Sequence, residues 1–65
     1  MPPKIAYHAG QCWFIDDALS THENYYLVDV KDDSKGKTVP RNKCRVLEGD
    51  EYRKQLDAIR YLRAR

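Results

Sequence analysis

Arg41, Lys43 and Arg45 recur at every second residue, with Lys35 and Lys37 shortly before them. On extended backbone that spacing puts the three on one face and turns Cys44 and Val46 inward. A face of this kind suits phosphate, because each neutralised phosphate releases counterions and makes binding salt-dependent. It also suits an acidic protein surface, or plain solvation on a small sheet whose lysines deter edge pairing. Trp13, Tyr7, Tyr25 and Tyr61 are the aromatics that would stack bases or enclose a cation, or else fill a core. A Trp13 open beside the basic strand favours stacking, whereas a Trp13 beneath a helix counts against it.

Other reactive types are present in patterns that lead nowhere specific. His8 and Cys12 stand four apart, and His22 and Cys44 would complete a tetrahedral set, yet there is no C-x-x-C knuckle to anchor zinc. Asp16-Asp17 are adjacent and point oppositely on an extended chain, with no positioned nucleophile. Ser20-Thr21-His22-Glu23 holds triad-type residues consecutively, the wrong geometry for a relay. The reading is therefore a non-enzymatic protein with no cofactor and no metal.

The organising element behind these residues is Tyr25–Val30, six aromatic, β-branched and apolar-rich residues without Gly or Pro, predicted as a central strand. Tyr26, Val28 and Val30 point one way and Tyr25, Leu27 and Asp29 the other, so both faces need cover. Gln11–Ile15 has the same two-faced character, with Cys12 and Phe14 opposite Trp13 and Ile15. Residues 5–8 suit an edge strand, Ala9-Gly10 a turn, and 16–24 a long loop anchored by Leu19. Asp, Ser and Gly in 31–36 predict a hairpin into Lys37-Thr38-Val39. Pro40 interrupts that strand, Arg41-Asn42-Lys43 turn, and 44–47 extend again. From Asp50, a candidate N-cap, to Ala64, Tyr52, Leu56, Ile59 and Leu62 mark one face of a helix. The expected seat of that face is the surface formed by Trp13, Ile15, Tyr25 and Leu27.

The sixty-five residues suit one domain near the lower size limit for a self-sufficient core. The expected division is a flexible arm at 1–4, a barrel at 5–48 and a helix at 50–64. No apolar run is long enough to span a membrane, and the Met-Pro-Pro-Lys start lacks a secretory stretch, so a cytoplasmic protein is expected. Cys12 and Cys44 are then free thiols, although a barrel pairing would allow them to approach. The net charge of +2 divides unevenly: residues 1–30 sum to −3 and residues 31–65 to +5, which favours an acidic partner for the second half.

The order strand, long acidic loop, strand, tight hairpin, strand, then Pro40-Arg41-Asn42 and a final strand resembles a Src-homology-3-like barrel over roughly Gly10 to Leu47. Peptide-binding members carry a tyrosine where this chain has Lys43, together with paired tryptophans and an Ala-Leu-Tyr-Asp-Tyr opening that are missing here. The resemblance thus implies architecture, shared with Tudor-like and KOW-like modules and small chromatin proteins, rather than recognition of proline peptides. The expected fold is mainly β: a small barrel of four to five antiparallel strands followed by a C-terminal α-helix. The expected function is contact with nucleic acid, DNA or RNA, through Lys35, Lys37, Arg41, Lys43 and Arg45, with Trp13 as an aromatic contact. The alternative is a protein–protein interaction module or inhibitor of a larger protein, a type common among phage and mobile-element products.

Overall fold

A computed structural model describes residues 3–63. Five strands form one antiparallel sheet: β1 (Lys4–His8), β2 (Gln11–Asp16), β3 (Asn24–Asp29), β4 (Gly36–Pro40) and β5 (Arg45–Val46), in the order β4-β3-β2-β1-β5. A 3-10 turn at Arg41–Lys43 links the last two strands, and helix α1 (Gly49–Arg63) ends the described chain. The mainly β fold with a C-terminal helix is as the sequence predicts. The proposed arm differs, because Lys4 opens β1 and the Pro3 carbonyl accepts the Tyr52 hydroxyl. Met1, Pro2 and the expected helix end at Ala64 lie outside the described residues.

The connection from β4 to β5 determines how the sheet is shaped. Those strands are the two edges, which in a flat sheet would stand about 19 Å apart at roughly 4.8 Å per neighbour. Only residues 41–44 join them, three of those in a tight 3-10 turn that rises about 2 Å per residue. So short a link draws the edges together, and the sheet curls. The curl buries Ala6, Ile15, Leu27 and Val39 on its concave side, with Trp13, Tyr25 and Cys44 packed half-buried around them.

Helix α1 covers the other side. Its Ile59, Tyr52 and Leu56 pack with Ile5, Val30, Leu47, Cys12 and Phe14. This corrects the expected seat on Trp13, Ile15, Tyr25 and Leu27: the curled sheet encloses Ile15 and Leu27, and leaves Trp13 and Tyr25 half-buried beside them. Arg63 fastens the far end: its Nε donates to the Val30 carbonyl at 3.0 Å, its guanidinium pairs with Asp33 and stands over the Phe14 ring. Asp50 lies inside the first helical turn rather than capping it, and there complements the helix dipole with Glu51. Leu19, expected as an anchor, is exposed; Ser20 anchors the loop instead, donating to the Asp16 carbonyl and accepting the Tyr26 N–H. Val46 pairs with Ala6 and so faces the concave side as expected, but it is exposed at the sheet edge, while Leu47 is buried on the helix side.

The β1–β2 hairpin turns on two residues, Ala9 at φ 51° and Gly10 at φ 82°. Both angles belong to the tight turn whose twist matches flanking strands, yet only Gly adopts such an angle without strain. Replacing Ala9 with Asn, which tolerates this region, is expected to stabilise the fold by about 0.5–1 kcal/mol. A thermal melt reads this as a rise of a few degrees, and a lower midpoint would contradict the assigned turn.

Candidate nucleic-acid interface

The registers assign the side chains to faces. Ala6 pairs with Trp13, Ile15 with Leu27, Leu27 with Lys37 and Tyr25 with Val39, so Trp13, Tyr25 and Lys37 share the concave side. On that side the Lys37 ammonium stands 4.7 Å from the Trp13 ring centroid, and the Arg41 guanidinium 4.3 Å from that of Tyr25. Each aromatic therefore carries a cation over its ring, and the helix lies behind the sheet, away from both.

Local bonds hold these groups in place. The Trp13 indole N–H donates to the His8 carbonyl at 3.1 Å, which sets the ring plane. His8 Nδ1 lies 2.9 Å from the Lys43 carbonyl, an oxygen that only accepts, so Nδ1 carries the proton. Arg41 reaches back across the long loop, where Nε and Nη2 both donate to the Thr21 carbonyl at 3.0 and 2.7 Å. Its backbone N–H donates to the Glu23 carbonyl at 3.0 Å. The loop between β2 and β3 is thereby tied to the turn after β4, and the guanidinium is held over Tyr25.

Of the five predicted cations, Lys37 and Arg41 stand over the aromatics of the concave side, and Lys43 is exposed in the adjoining 3-10 turn, its carbonyl bonded to His8. Lys35 sits in the preceding hairpin, where its backbone bonds Asp29 and Asp32. Arg45 departs from the set. The spacing of two would align Arg41, Lys43 and Arg45 only on extended backbone, and the 3-10 turn at Arg41–Lys43 breaks that alignment. Arg45 pairs in register with Tyr7, itself opposite Cys12, and so belongs to the helix-covered side. There it forks onto Glu51 at 2.5 and 3.1 Å and stands over the Tyr7 ring. The Arg45 hydrogen bond pulls the Glu51 carboxyl below its usual range, so this cation is already partnered.

Three acidic side chains make local bonds within the chain. Asp29, opposite Trp13 in register, accepts the Lys31 N–H at 2.7 Å, and Asp17 pairs with Lys4 at 3.2 Å. Asp32 accepts both the hydroxyl and the N–H of Ser34, bonds that lower its pKa and close the hairpin. The two thiols lie in different packed clusters, Cys12 towards the helix and Cys44 on the concave side, and both are free. Burial raises the pKa of each, which leaves them protonated and weakly reactive near neutral pH. Among the described residues, no group of three or more His, Cys, Asp and Glu side chains is placed to hold a metal ion.

Comparison with known proteins returns no matching family model, no matching curated protein and no matching solved structure. No helix among the described residues is long and apolar enough to cross a membrane. Sequence reasoning named Trp13 and Tyr25 as aromatics, and Lys37 and Arg41 as cations, but not their pairing. The signal was present in the hairpin, because placing Leu27 opposite Lys37 also places Tyr25 opposite Val39, two residues before Arg41.

Proposed function

We propose that this protein binds nucleic acid through the rim of its concave sheet face, with Lys37, Arg41 and Lys43 meeting phosphates beside Trp13 and Tyr25. The observation that carries the reading is the pair of cation-bearing aromatics, Lys37 on Trp13 and Arg41 on Tyr25, on the side α1 leaves uncovered. Paired aromatic and cationic groups serve both parts of a nucleotide, its flat base and its charged linkage. Lys35 extends the positive field along the hairpin, and Arg45 falls outside the footprint.

Binding to a generic duplex and to a single strand, measured across a salt series, tests this reading. Affinity is expected to fall steeply with salt, and Lys43→Ala to reduce the logarithmic slope by about one unit. Absence of binding at low salt overturns the proposal.

One observation favours a protein partner as the second reading. A groove of about 500 Å³ runs between α1 and the sheet, lined by Tyr7, Cys12, Val30, Ile59 and Leu62 among others, and Tyr7 and Leu62 are exposed there. An interface at that groove would depend on a few desolvated anchors such as these, not on the rim cations.

A further inference from the structure

We infer that the ligand of the concave rim is single-stranded nucleic acid, held by stacking of its bases as well as by its phosphates. This rests on the nucleic-acid reading above and narrows it. In a duplex the flat faces of the bases are covered by their neighbours, so a duplex would leave the two aromatic platforms without a purpose. A single strand offers base faces at every residue.

The geometry suits such a strand at two separate points. Trp13 stands opposite Asp29 on β3, and Tyr25 is four residues earlier on that strand, which separates the two along it by about 13 Å at roughly 3.3 Å per residue. Each platform combines a ring with its own cation. At Tyr25 the guanidinium of Arg41 is forked onto the Thr21 carbonyl, so its position is set before any ligand arrives. A guanidinium held over an aromatic ring presents a further flat, positive surface on which a base can lie. At Trp13 the indole is held by the His8 carbonyl, while Lys37 is tethered only by its flexible stem and the ring's attraction. A base arriving there displaces the ammonium sideways, towards the strand's own phosphate. Groups fixed in advance lose less freedom on binding, which strengthens a short contact.

Trp13 is the sole tryptophan of the chain, so its fluorescence reports directly from the site. The test compares three probes at equal phosphate concentration: an oligothymidylate of about a dozen nucleotides, an abasic deoxyribose-phosphate strand of the same length, and a duplex of the same length. The oligothymidylate is expected to quench Trp13 emission and to bind about 10-fold more tightly than the abasic strand. Trp13→Leu, followed by anisotropy of a labelled strand, should reduce that advantage, weakening oligothymidylate binding more than abasic binding. Arg41→Lys keeps the charge and loses the plane, so it should weaken oligothymidylate binding without changing the salt slope. Equal affinity for oligothymidylate and abasic strand, or a preference for duplex, overturns the inference while nucleic-acid binding stands. No binding of any probe at low salt removes both.

Discussion

A chain ended after Gly49 is expected not to fold. The loss of α1 removes Ile59, Tyr52 and Leu56 from their seat and bares Ile5, Val30, Leu47 and Phe14. A fully buried aliphatic side chain contributes about 1.5–3 kcal/mol, whereas a domain of this size holds only about 0.05–0.15 kcal/mol per residue in total. The helix therefore completes the core rather than decorating it. Ile59→Ala tests the same contact without shortening the chain, at an expected cost of about 2–5 kcal/mol in urea unfolding. A fragment of residues 1–49 that unfolds cooperatively, by far-ultraviolet circular dichroism, would show that the concave cluster is a sufficient core.

The second large effect concerns charge. Lys37→Glu and Lys43→Glu are each expected to weaken nucleic-acid binding by roughly 10-fold or more near 0.1 M salt, since each removes one phosphate contact and adds repulsion. Both side chains are exposed, and neither donates a hydrogen bond that holds the fold together, so melting midpoints should change little. Arg45→Glu and Arg60→Glu carry the same change in net charge at positions outside the rim. Their effects on binding should be small by comparison. Equal losses from all four would mean that attraction follows net charge alone and that there is no localised footprint.

The strands were legible because their signals are local. Alternation and β-branched content marked Gln11–Ile15 and Tyr25–Val30, Pro40 marked the end of β4, and the spacing of Tyr52, Leu56 and Ile59 marked the helix face. Which side of the sheet that helix covers was not legible. Cys12 and Phe14 on one side of β2 are nearly as apolar as Trp13 and Ile15 on the other, so alternation alone cannot choose between them. The choice is made by a tertiary constraint, the short link from Pro40 to Arg45 that curls the sheet around Leu27. The same link explains the divided basic set. Period two assumes extended backbone, and a 3-10 turn following Pro40 at φ −55°, ψ 140° sends Arg41 to Tyr25 and leaves Arg45 beside the helix and Glu51. Pro40 ahead of Arg41-Asn42-Lys43 did signal a turn, and that signal conflicted with the alternation read through the same residues.

Titration of isotopically labelled protein with a short single strand, followed through backbone and indole N–H resonances, tests the central claim most directly. The rim should respond: the Trp13 indole, Lys37, Arg41 to Cys44, and Thr21, whose carbonyl holds Arg41. The outer face of α1 at Arg53, Lys54 and Asp57 should remain still. Shifts confined to α1 and the groove beside Tyr7 and Leu62, with the Trp13 indole unmoved, would contradict a nucleic-acid site on the concave rim.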